Sequence, residues 1–300
     1  MLLYIFINNI LPAFIIVGFG ALADRHLALD VRTPSRLTLY ILTPCLIFSS
    51  LVKSNLAGED ITQIFVYLIL ITMAIGAVSW TAARLLSLDQ VRQNTLLLST
   101  MFLNAGNFGL PIVLFAYGQA GMDRGLVFYT GSALLVNTLG AYFASRGRAS
   151  ARQSLVNILR LPAAYAIVLA FLLRGLHITP PEFLLKPISL AGSAAIPILL
   201  LVLGMQLSRT RLRGNLPLVS LAVFIKLVVA AALAFVIAYL LGLQGLTRQV
   251  CIFESSTPVA VSVIMMSIEF NADPEFVTSA VFLSTLLSSL TLTVVLSLLA

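Results

Sequence analysis

The chain has 300 residues, of which 60% are hydrophobic and only 10% charged, and its mean hydropathy is +1.05. Soluble domains are about a quarter charged, so most of this chain lies in lipid and no stretch is polar enough for a separate soluble domain. The net charge of +7 comes from arginines scattered through short loops. That pattern orients a polytopic membrane protein and excludes a nucleic-acid surface.

About 20 apolar residues cross a bilayer as a helix. Ten spans follow on that basis: 2–23, 35–52, 62–84, 93–118, 125–145, 154–174, 183–207, 217–241, 248–270 and 275–299. The first is long for a signal-peptide core and has no basic leader, so it reads as a spanning helix. Polar links such as "KSNLAGED", "RGLHITPPE" and "NADPE" separate the spans. Links after odd-numbered spans hold Arg25, Arg32, Arg36, Arg84, Arg92, Arg146, Arg148, Arg152, Arg160, Arg209, Arg211 and Arg213. Links after even-numbered spans hold only Lys53, Arg124, Arg174, Lys186 and Arg248. The positive-inside rule then puts both termini outside.

Proline inside a helix is costly, so its placement carries information. Pro12 and Pro162 are 150 residues apart, Pro44 and Pro197 are 153, and Pro111 and Pro258 are 147. Asp123 and Asp273 are 150 apart. The expectation is an all-α polytopic membrane protein of ten helices, built as two five-helix repeats, residues 1–150 and 151–300. Five is odd, so the second repeat is inverted, a plan common among secondary transporters.

The fourth and ninth spans are the informative ones. "LNAGNFGLP" brings Asn104, Asn107, Gly109 and Pro111 into one apolar span, and "ESSTPVAV" brings Glu254, Ser255, Ser256, Thr257 and Pro258 into the other. Lipid offers no partner to an unwound backbone. Broken helices at matching places in two inverted halves point to a midplane binding site. A half-helix starting at Pro111 aims a positive end at the centre, and the Ser255, Ser256 and Thr257 hydroxyls read as caps of the opposing one. Pro12 and Pro162 read as structural kinks.

At these residues the chain resembles the auxin efflux carrier family in its bacterial, malonate-transporter-like branch, within the bile, arsenite and riboflavin transporter superfamily. The resemblance runs through "LTLYILTPCLIFSSLVKSNL", "LNAGNFGLPIVLFAYGQAG", "AAIPILLLVLGMQL" and "STPVAVSVIMMSIEFNADPEFVTSAVFLSTLLSSLTL", close to the whole chain. It implies a scaffold domain and a transport domain, the latter holding crossed fourth and ninth helices. It also implies a small organic anion as substrate, an elevator-type motion and a homodimer. In the family, the Asn before the fourth-helix Pro helps to bind the substrate carboxylate, which here matches Asn104, and an amide NH2 donates well to a carboxylate.

Glu254 stands four residues before Pro258. An ionisable residue within a span is usually functional, so it reads as a carrier of a coupling ion, proton or sodium. The related bile-acid sodium symporters use a ninth-helix Glu in that way, which makes a sodium:organic anion symporter the alternative. The opposing readings are that Glu254 reaches the outer surface or pairs with Arg248. Lys226 is the one basic residue deep in a span; it either holds charge, of the substrate or of Glu254, or snorkels to the cytoplasmic face. Trp80 and Tyr117 read as interface anchors, the alternative being that they line the site. Cys45 and Cys251 fall in apolar runs and read as buried thiols without a disulfide framework. His26 and His177 lie in loops on opposite sides and match no metal spacing. No convergent nucleophile, base or metal cluster is visible, so neither an enzyme nor a bound cofactor is expected beyond the coupling ion.

Overall fold

The computed structural model describes residues 1–140, 162–210, 212, 214–269 and 272–300. The predicted span ends at 141–145 and 154–161 lie outside the described residues, as do Arg146, Arg148, Arg152, Arg160, Arg211 and Arg213. The described chain is helical almost throughout. Its helices are α1 (Leu2–Leu27), α2 (residues 32–51), α3 (Gly58–Leu85), α4 (Gln90–Met101), α5 (Leu110–Leu135), α6 (Pro162–Gly175), α7 (Glu182–Ser208), α8 (Leu216–Leu240), α9 (Gly245–Ser255), α10 (Ser262–Glu269) and α11 (Pro274–Leu299). Five of them, α1, α3, α7, α8 and α11, are each long and apolar enough to cross a bilayer unbroken.

The helix starts are written locally. Asp89 accepts a hydrogen bond from the Arg92 amide at the head of α4, Asn215 from Leu218 at α8, and Asp273 from Phe276 at α11. Such caps satisfy amides that have no partner in the helix. Three prolines of the first half, Pro12, Pro44 and Pro111, share a device. Wide turns over Phe6–Ile10, Thr38–Leu42 and Ala105–Gly109 end two residues before Pro12, Pro44 and Pro111. In each, the amide before the proline reaches back five residues, from Leu11 to Phe6, Thr43 to Thr38 and Leu110 to Ala105. Proline clashes with the carbonyl four residues back, and a wider turn relieves that clash without breaking the helix. Two further wide turns, Val136–Gly140 and Ile225–Val229, have no proline, and the second contains Lys226.

Two sets of helices pack most closely. In the first, α1 lies along α7, and α2 packs on α6 and α7. Gly20 and Gly204 let α1 and α7 touch backbone to backbone: a methyl carbon on Gly20 would fall 2.2 Å from the Leu201 carbonyl oxygen. Small residues serve this purpose between helices in lipid. Arg209 joins the ends of the same two helices by donating to Asp24 at 2.5 Å. In the second set, α3 packs on α4, α5 and α8, α9 on α5 and α8, and α11 on α4, α8 and α10. Polar contacts again link members of the set. The Ser79 hydroxyl donates to Thr100 at 2.7 Å, and Gln249 to the Leu299 carbonyl at 2.8 Å. Asp60, Arg124 and Thr247 tie α3, α5 and α9 together, with Arg124 donating to Thr247 at 2.7 Å and to Asp60 at 3.2 Å.

Candidate functional site

Between α4 and α5, residues 102–104 are not helical, and between α9 and α10 the chain is irregular from Ser256 to Val261. The two breaks meet. Leu103 and Val259 form an antiparallel bridge. The Asn104 amide donates to the Pro258 carbonyl at 2.9 Å, and the Ala260 amide donates to the Phe102 carbonyl at 3.1 Å. The Ser284 hydroxyl on α11 accepts from the Val259 amide at 3.1 Å. Backbone groups released by each break are thus satisfied by the other, which is what a water-free interior demands.

The entry into α5 is equally constrained. The Gly109 amide closes its wide turn on the Asn104 carbonyl at 2.9 Å. The Tyr129 ring lies against Gly106, where a methyl carbon would come within 2.5 Å of it. Phe14 of α1 packs edge-on against Phe108, with ring centres 5.5 Å apart. Nine residues after the turn, α5 changes direction at Gly118, whose φ of 62° and ψ of −158° suit glycine alone among common residues.

Against this frame the predicted residues sort clearly. Asn104 is buried, and its side-chain NH2 has no hydrogen-bond partner. Asn107 is half-buried within the wide turn, while Gly109 and Pro111 are buried. Ser255, Ser256, Thr257 and Pro258 are all fully buried. The hydroxyls do not cap a following helix. Ser256 donates back to the Ile252 carbonyl at 2.8 Å and Thr257 back to the Glu254 carbonyl at 2.6 Å, closing the end of α9, while α10 begins only at Ser262. A Ser or Thr hydroxyl at a helix end competes for the nearest carbonyl, and here that carbonyl is behind it.

Glu254 neither reaches the surface nor pairs with Arg248. It is fully buried, and neither carboxyl oxygen has a hydrogen-bond partner. Lys226 does not snorkel and does not pair with Glu254: it is fully buried and its ammonium nitrogen has no partner. Tyr117 is not a wetted anchor, because its hydroxyl is buried without a partner. Trp80 is 48% exposed beside Arg84, whose guanidinium lies 5.2 Å from the ring centre. Cys45 and Cys251 are free. Among the described residues no cluster of His, Cys, Asp and Glu is suited to a metal ion.

A cavity of about 440 Å³ opens where α2 and α7 face α5, reaching Leu114 and Pro197. Its polar wall is Ser49, Ser50, Lys53, Gln119, Asp123, Ser189 and Ser193. Ser50 donates to Asp123 at 2.5 Å, and Gln119 donates to Ser50 at 2.7 Å and to Asp123 at 3.0 Å. This triad is a polar side-chain bond between the two helix sets. In the sequence these residues look like punctuation at span ends. Asp123 has one legible signal, its match to Asp273, yet Asp273 caps α11 whereas Asp123 bonds to α2.

An all-helical, lipid-embedded chain with two discontinuous helices joined in its interior has the construction of a membrane transporter. A family model described as membrane transport protein matches residues 5–152 and 144–296. The chain belongs to this family, that of the auxin efflux carriers. It is 27% identical over 286 residues to an uncharacterized transporter of Methanothermobacter thermautotrophicus, covering 94% of this chain and 92% of that one. It is 25% identical over 281 residues to an uncharacterized transporter of Methanocaldococcus jannaschii, covering 91% and 89%.

Proposed function

We propose that this membrane transporter moves a small organic anion, a mono- or dicarboxylate, by elevator-type alternating access. In this reading ten spans form two inverted repeats, 1–150 and 151–300, both termini face outward from a bacterial inner membrane, and two copies form a homodimer. The set α1, α2, α6 and α7 is the static scaffold, and the set holding the paired breaks travels. The observation that carries the reading is the buried side-chain NH2 of Asn104, which has no partner, beside the start of α5. A carboxylate satisfies both that donor and the partial positive charge of a helix N-terminus. The cavity between the two sets gives a route towards Leu114 and the break.

The test is the melting midpoint of purified protein against malonate and other small carboxylates. A specific ligand raises the midpoint by mass action. The expected result is a rise with one carboxylate class that Asn104→Ala removes without lowering the midpoint of the ligand-free protein. An unchanged response in Asn104→Ala would refute the site.

The unpartnered Glu254 carboxyl favours one further reading, a bile-acid-type sodium:organic anion symporter. There, sodium enlarges the carboxylate-dependent rise and Glu254→Gln abolishes the enlargement. An equal rise in sodium and potassium would leave proton-coupled or uncoupled transport.

A further inference from the structure

Two links lead from the scaffold helices to the set that holds the paired breaks, residues 52–57 after α2 and 209–215 after α7. Each is gripped at the end of a helix from the other half of the chain. In the first, the Arg174 guanidinium at the end of α6 donates to the Leu56 carbonyl at 2.8 Å and lies 5.5 Å from the Phe171 ring centre. The Leu56 amide donates to the Ser54 hydroxyl at 3.0 Å, and the Ser54 amide to the Leu51 carbonyl at 3.3 Å. Ser54 and Leu56 are buried, although connecting segments usually run over the surface. In the second, Asp24 near the end of α1 accepts from Arg209 and from the Ser208 hydroxyl, and Arg209 donates also to the Leu29 carbonyl. The two grips occupy matching places. Asp24 and Arg174 are 150 residues apart, the spacing of Pro12 and Pro162, and Leu56 and Arg209 are 153 apart, the spacing of Pro44 and Pro197. The cation stands on the helix end in one grip and on the link in the other, so what recurs is the position of the bond and not its chemistry. Directly after the first grip the packing stops. Ala57 is extended at φ −73° and ψ 153°, Ala57 and Gly58 are exposed, and nothing lies within 4 Å of a methyl carbon on Gly58. On the second link Gly214, at φ 88°, stands directly before the Asn215 cap of α8.

We propose that Arg174 and Arg209 are positioning residues for transport: each pins its link to the scaffold, so that the moving helices pivot at Ala57–Gly58 and at Gly214 while Val52–Leu56 stays with the scaffold. This rests on the elevator reading and deepens it by naming where the two helix sets part. In the ten-span order the grips stand on opposite faces of the membrane, so a movement across it is steered from both ends. A pivot is a few residues at the end of an element that absorb a change of backbone angle, and Ala57–Gly58 at the head of α3 fits that description.

The experiment is pulsed electron paramagnetic resonance on the full chain in lipid nanodiscs, with Cys45 and Cys251 replaced by Ala and nitroxide labels on pairs of introduced cysteines. The reference label is at His26, at the far end of the scaffold. Its partner is at Asn55, on the gripped part of the link, or at Thr62, one turn into α3; all three positions are exposed. Distances are taken without ligand and with malonate and other small carboxylates. The expected result is one narrow His26–Asn55 distance throughout, with a His26–Thr62 distance that is split or shifts with ligand. Arg174→Ala should broaden the His26–Asn55 distance, and Arg174→Lys, which keeps a donor, should narrow it again. Gly58→Pro is the second variant. Proline is accepted at the first position of a helix, and the extended Ala57 suits the residue before it, so the protein should fold and its His26–Thr62 distance should collapse to one value. Asn55 and Thr62 moving together would overturn the pin and leave the elevator reading standing. A His26–Asn55 distance unchanged in Arg174→Ala would overturn the role of Arg174. A His26–Thr62 distance that is single and fixed under every condition would remove the elevator reading, and the pivots with it.

Discussion

Replacing Gly204 by Ala should loosen the close crossing of α1 and α7. The added carbon would fall 1.9 Å from the Val17 carbonyl oxygen and 2.8 Å from the Ala21 amide nitrogen. A close carbon–oxygen contact is about 3.3 Å, so α1 and α7 must part by roughly 1 Å. The atoms in the way are main chain, so no side-chain rotation relieves the clash. Overpacking of this kind costs about 1–3 kcal/mol, against which alanine's helix preference returns about 1 kcal/mol. The facing helix α1 supplies the control. Nothing lies within 4 Å of a methyl carbon on Gly18, so Gly18→Ala should be neutral or stabilise by about 0.5–1 kcal/mol. The assay is the fraction of monodisperse protein after heating in detergent, with all variants run side by side. Gly204→Ala matching Gly18→Ala in that assay would refute the backbone contact and the packing built on it.

The remaining predictions address the polar links. Ser50→Ala removes the donor to Asp123 across the two helix sets, a charge-assisted bond worth about 1.5–3 kcal/mol; a cysteine probe at Ser193 should label faster in that variant, and unchanged labelling would refute the role of this bond in holding the two sets together. Arg124→Gln breaks the link of α3, α5 and α9, whose ion pair is only 20% and 24% exposed, and should cost about 1–3 kcal/mol, whereas Arg92→Gln at a pair 58% and 59% exposed should cost under about 1 kcal/mol; equal midpoints would refute the ranking. Asp30 has its carboxyl held below the usual range, first by the Thr33 hydroxyl and then by the Arg32 and Thr33 amides. Its stabilisation of the start of α2 is therefore present above the unfolded value and lost as pH falls through the lower folded one; protection of the Arg32 and Thr33 amides from exchange, taken relative to the intrinsic rate at each pH, should fall in acid and be independent of pH in Asp30→Asn.

Hydropathy was enough to read lipid as the solvent, because burying so few charges among so many apolar residues leaves no soluble alternative. Helix breakers in the fourth and ninth spans were equally legible, since Pro111 and Pro258 cannot be hidden in a regular helix. The behaviour of side chains at those breaks was not. Ser255, Ser256 and Thr257 look forward like caps in the sequence, while Ser256 and Thr257 turn back to α9. Asp123 looks like a loop residue and is a buried bond to α2. Gly125 carries no signal at all, because a glycine in a membrane helix is common and its meaning depends on what it touches.

Composition and local backbone chemistry determined where this chain lies, where its helices begin and where two of them fail. These are properties of residues and their immediate neighbours. Tertiary structure alone decided that Leu103 meets Val259, that Gly109 and Gly125 close on Glu254, and that Asn104 keeps a free donor. Each of those depends on the rotation and depth of helices far apart in the chain. A hydrophobic pattern constrains such rotation weakly when the solvent outside is as apolar as the packing within.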